Sequence, residues 1–70
     1  MAKGDSISNA IKVHSISEEY EYLDQHYGNY NLREQALMEK NGKYYDRMEI
    51  ELSDENLKVV FFDISSFYGK

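Results

Sequence analysis

The chain contains no cysteine, no proline and no tryptophan. Without cysteine there is neither a disulfide nor a thiolate-ligated zinc, the two staples on which many small chains rely. Stability must then come from apolar burial, or from a partner subunit. A chain of 70 residues hides only about 60% of the surface it exposes when unfolded, so a single domain is expected. Glycine is sparse: Gly4, Gly28, Gly42 and Gly69 stand alone, and no glycine-rich loop exists to cradle a phosphate. No apolar run approaches the roughly 18 residues of a spanning helix, and the opening MAKGDSISNA lacks the apolar stretch of a secretory signal. The expected setting is soluble and cytoplasmic, away from membranes.

Basic residues are scarce as well. Eight lysines and arginines against thirteen acids leave a net charge of −5, which repels polyphosphate and disfavours nucleic acid as a partner. His14 and His26 fit no metal-ligand spacing. One precedes a helix and the other lies in its last turn, where an imidazolium suits the helix dipole. Neither a metal nor a cofactor is expected.

What is present favours a folded α+β domain. Hydrophobic residues make up 41% of the chain, with seven tyrosines and three phenylalanines, too many for a disordered tail. Residues 1–9 are small and polar and are expected to be a flexible segment; a single domain occupies 10–70. The alternation AIKVH from Ala10 to His14 marks a short strand. Ser15 and Glu18 then have the spacing of a capping box, in which each side chain satisfies a free backbone donor. A helix follows, with Ile16, Tyr20, Leu23 and Tyr27 as its apolar stripe and Gly28 as its left-handed stop. Glu18, Glu19, Glu21 and Asp24 form an acidic outer face, the first three also favouring the positive end of the helix dipole.

Beyond Gly28 the period falls to two, giving strands over about Asn31–Glu39, Lys43–Leu52 and Lys58–Ile64 in an antiparallel meander. The order is β-α-β-β-β, one helix on a small antiparallel sheet. At Asn41-Gly42 a two-residue turn would pair Lys40 with Lys43 and bring Arg33 opposite Ile50. A three-residue loop Lys40-Asn41-Gly42 instead pairs Met38 with Tyr44, Ala36 with Asp46, Leu32 with Ile50 and Arg33 with Glu49, and it is preferred on that agreement. A four-residue loop Ser53–Asn56 then pairs Leu52 with Leu57, Ile50 with Val59 and Met48 with Phe61, with Glu51 facing Lys58. The core face under the helix would carry Leu32, Ala36, Met38, Tyr44, Met48, Ile50, Leu52, Leu57, Val59 and Phe61.

That register leaves Leu37, Tyr45, Val60, Phe62 and Ile64 on the reverse face, more apolar than a wetted sheet should be. The expected function is a protein-binding domain without catalytic activity, self-associating through that face, with Leu37, Tyr45, Phe62, Ile64, Phe67 and Tyr68 as contact residues. An alternative is an acidic inhibitor or immunity-like protein, whose Glu18, Glu19, Glu21 and Asp24 engage a basic partner. A third reading is a small-ligand or enzyme site at Asp46 and Asp63, which the register sets opposite each other, so that mutual repulsion would raise one pKa.

Overall fold

The computed structural model describes residues 6–68. A 3-10 turn, Ile7–Asn9, leads into β1 (Ile11–Lys12), α1 (Ile16–Tyr27), β2 (Tyr30–Lys40), β3 (Lys43–Leu52) and β4 (Leu57–Asp63). The sheet is four-stranded in the order β1-β4-β3-β2. The β2-β3-β4 meander is antiparallel, but β1 pairs parallel to β4 through Ile11 and Phe62, so the sheet is mixed, not wholly antiparallel. Since β1 and β2 are opposite edges, α1 must cross one face of the sheet between them. No helix among the described residues is long and apolar enough to cross a membrane. The expected flexible segment 1–9 falls partly outside the described residues.

Helix α1 starts and stops where the caps require. The Ser15 hydroxyl accepts from the Glu18 amide at 3.3 Å, while the Glu18 carboxylate takes the amide of His14, at 2.7 Å, one residue earlier than a capping box would have it. Gly28 ends the helix at φ 64°, its N–H bonded to the Asp24 carbonyl at 3.1 Å, a backbone setting that suits a residue without Cβ.

The first hairpin reconciles two demands that the sequence reading sets against each other. Asn41 (φ 54°) and Gly42 (φ 79°) make the two-residue turn after all, with Lys40 paired to Lys43. Leu32 still faces Ile50, because the extra residue sits inside β2 as a bulge at Arg33 and not in the loop. The expected Met38–Tyr44 and Ala36–Asp46 pairs are thereby corrected to Met38–Tyr45 and Ala36–Arg47. Arg33 reaches Glu51 at 3.2 Å, and Glu49 stands opposite Glu34.

The second hairpin differs by one residue, and the consequence is larger. Glu55 donates its amide to the Leu52 carbonyl and takes φ 72°, and Asn56 returns its carbonyl to the Leu52 amide. The loop is thus one residue tighter than expected, with Met48 opposite Val60 and Asp46 opposite Phe62. A one-residue slip turns a whole strand over. Val60, Phe62 and Ile64 therefore lie beneath the helix with Val13, Leu23, Met48 and Ile50, forming the buried core. Phe62 is fully buried, and the Tyr22 ring meets it edge-on at 5.8 Å; enclosing such a side chain stabilises by roughly 1.5–3 kcal/mol.

The reverse face carries Ala36, Met38, Tyr45, Val59 and Phe61. Beside them runs a band of ion pairs, Arg47 to Glu34 at 3.5 Å, Arg47 to Glu49 at 3.9 Å and Arg33 to Glu51 at 3.2 Å. Each contributes about 1 kcal/mol at most, but together they make that side compatible with water.

Candidate functional site

The helix is rotated from its expected orientation. Ile16 is 60% exposed, while Glu19 is 1% exposed and sits in the core layer one turn before Leu23. Tyr22 and Tyr27 of the same helix are also packed against the core. A carboxyl group buried this way needs a partner or a proton. Glu19 has both, because Asp46 on β3, itself buried, shares a hydrogen bond with it. Removal from water, then the hydrogen bond and the negative charge of Asp46, push the Glu19 pKa up from 4.5 to about 8. Burial outweighs the helix N-terminus, whose dipole would favour the ionised form.

One side chain holds the pair, and two serines seat the C-terminal turn beside it. Gln35 of β2 donates its Nε2 to Asp46 Oδ2 at 2.6 Å. Ser65 bonds the Tyr44 amide at 2.9 Å through its hydroxyl, and the Ser66 hydroxyl donates to the Val13 carbonyl at 3.0 Å. These contacts bring the C-terminal turn against the sheet on the helix side, where the Tyr68 ring packs on Tyr44 at 4.9 Å. The result is a cavity of ≈ 290 Å³ lined by Ile16, Glu19, Gln35, Leu37, Asp46, Ile64, Phe67 and Tyr68. Glu19 belongs to this lining, and its Oε2 is shut off from water without a hydrogen-bond donor, a condition that costs a buried polar atom about 1–3 kcal/mol. Leu37 and Tyr68 at the rim are 52% and 40% exposed.

Among the residues expected to bind a partner, Leu37, Ile64, Phe67 and Tyr68 are brought together here. They meet on the helix side, and this corrects their assignment to the reverse face. Phe62 is corrected from a surface contact to the centre of the core. Tyr45 does lie on the reverse side but is buried, lining a separate hollow of ≈ 400 Å³ with Ile7, Ala10 and Asp63.

The acidic helix face loses Glu19 to the interior. Glu18 is engaged by His14 through its amide and, at 3.5 Å, its Nδ1. The Asp46–Asp63 pair does not exist, because the register puts the two carboxylates on opposite faces. Asp63 instead accepts the Ser65 amide at 3.0 Å. Asp46 does have a carboxyl partner, and it is Glu19.

Chemically, a carboxyl and a carboxylate in an apolar recess share one proton near neutral pH and carry a single negative charge. They suit a hydrogen-bond donor or a cation. A hard divalent ion is poorly served, since calcium takes 6–8 oxygen ligands and no group of three or more metal-ligating side chains occurs among the described residues. Comparison with protein-family models, with curated proteins and with solved structures finds no match to this chain.

Proposed function

We propose that this chain is a small protein-binding domain without catalytic activity, and that its contact surface is the helix-side cavity and rim beside the open edge of β2. One observation carries the proposal: exposed apolar side chains from three separate elements, Ile16, Leu37 and Tyr68, converge on one recess whose lining also includes the buried carboxyl groups of Glu19 and Asp46. Exposed apolar area gathered in one place is what a partner covers. The occupant that fits is an extended segment of another protein. Strand β2 is an edge of eleven residues whose outward backbone groups can pair with an added strand, and alternate side chains of that strand would point toward the recess.

Self-association through the reverse face is not proposed, because Phe62 and Ile64, which were to supply its contact area, lie under the helix. The acidic-inhibitor alternative is weakened likewise by the withdrawal of Glu19. A catalytic reading would rest on the Glu19–Asp46 carboxyl pair acting as acid and base; it is not the one proposed, since no histidine, serine or threonine lines the recess to act with the pair.

Peptides selected against the folded domain from a display library test the proposal. They are expected to lose binding when Leu37 is changed to Glu and to keep it when Leu57, 57% exposed on the reverse side, is changed to Glu. Equal binding to both variants would contradict it. Binding that requires only a second copy of the chain, seen as a concentration-dependent molar mass, would replace the foreign segment by the protein itself.

A further inference from the structure

We infer that the cavity between α1, β2 and the C-terminal turn is a receptor for an alkylammonium group, supplied on a protein partner by a lysine side chain. The methylenes would lie against Ile16, Leu37 and Phe67, and the ammonium would meet Glu19 and Asp46. The lysine as source rests on the function proposed above, whereas the fit of an alkylammonium group to the cavity does not.

Four features point to this chemistry. The Glu19 side chain is 1% exposed, belongs to the lining and has an oxygen, Oε2, that no donor reaches, so the site lacks a donor. The titratable groups around it are Glu19, Asp46 and Tyr68, and none of the described lining residues is cationic, so the missing donor should bring positive charge. A neutral donor would satisfy the oxygen but leave the Asp46 charge unbalanced in a site of low dielectric. The walls are apolar around a polar floor, which matches a side chain that buries its stem and presents a compact charge at its tip. At ≈ 290 Å³ the space lies at or below the lower end of the roughly 300–1,000 Å³ typical of small-molecule sites and suits a single side chain.

The probe is n-butylammonium, the lysine side chain without its backbone, titrated into the whole chain at pH 7 with 1-butanol as its neutral counterpart. The expected results are shifts of the Ile16, Leu37 and Ile64 methyl resonances and a fall in the Glu19 titration midpoint, because a bound cation favours the ionised carboxylate. Charge-assisted hydrogen bonds are worth about 1.5–3 kcal/mol, so 1-butanol should bind about tenfold more weakly or worse. Asp46→Asn should weaken butylammonium to a similar degree.

Equal affinity for the alcohol, or a Glu19 midpoint that butylammonium leaves unmoved, overturns the assignment. The second readout uses the unaltered chain, so it stands even if Asp46→Asn does not fold. If butylammonium fails while selected peptides still require Leu37, the contact surface survives and the cation assignment falls. If butylammonium binds but the selected peptides tolerate replacement of lysine by norleucine, the ligand is a free amine and the lysine assignment falls.

Discussion

Replacing Glu19 by glutamine should change how stability depends on pH, in a direction opposite to most carboxylates. In the folded chain Glu19 holds its proton up to about pH 8, against 4.5 for the ordinary group. Between those values the native state binds a proton that the unfolded state has released, so stability falls as pH rises, by up to about 1.4 kcal/mol per pH unit. The contribution of the protonated pair is fully present below about pH 4.5 and is lost as pH rises through about 8. At pH 7 the loss attributable to this one group is about 3 kcal/mol. Glutamine keeps a donor toward Asp46 and cannot ionise. Titrating groups outside the Glu19–Asp46 pair contribute equally to both proteins, so the difference isolates that pair. Urea denaturation from pH 4 to pH 9 is the assay. The two stabilities should run parallel at the acid end and diverge above it, the variant leading by about 3 kcal/mol at pH 7 and by more near pH 8. Curves that stay parallel across the whole range would refute the burial of Glu19 against Asp46.

Three further substitutions probe the fold. Phe62→Ala should destabilise by about 3–5 kcal/mol in urea denaturation; a loss below about 1 kcal/mol would return Phe62 to the surface. Gly42→Ala meets open space but keeps φ 79°, so only backbone strain of about 1–2 kcal/mol is expected, and an unchanged midpoint would argue against the two-residue turn. Ser15→Ala should cost about 1 kcal/mol through the lost cap, with thermal melting as the check and no change as the contrary result.

Most of the element order was legible in the sequence, because it rests on local chemistry. Ser15, Gly28 and the Asn41-Gly42 pair announce a start, a stop and a turn without reference to anything distant. Register was harder, for reasons particular to these residues. Val59-Val60-Phe61-Phe62 is two doublets, so either face of β4 presents one valine and one phenylalanine and alternation cannot choose between them. The choice falls to the turn, where Glu55 adopts the positive φ usually signalled by glycine. The bulge at Arg33 was equally silent. It reconciles a two-residue turn with a Leu32–Ile50 contact, whereas the sequence reading placed the surplus residue in the loop.

The candidate site was visible only in fragments. The sequence marks Asp46 but sets Asp63 beside it, where the fold supplies Glu19; it gathers Leu37, Phe67 and Tyr68 on the reverse face, where the fold sets them on the helix side. Glu19 was missed because a helix pattern assigns every glutamate to water. The inward stripe Glu19, Tyr22, Leu23 and Tyr27 matches Ile16, Tyr20, Leu23 and Tyr27 in apolar character at three of its four positions, so only one inward acid has to be admitted. Only the position of Asp46 across the sheet makes that admission physical.

The state of the Glu19 carboxyl group decides the account most directly. Its ¹³C resonance, followed by NMR as pH is raised in the unaltered chain, should titrate with a midpoint of about 8. A midpoint at the ordinary 4.5 would mean that the group faces water, and the recess, its unpaired oxygen and the cation proposed for it would have no basis.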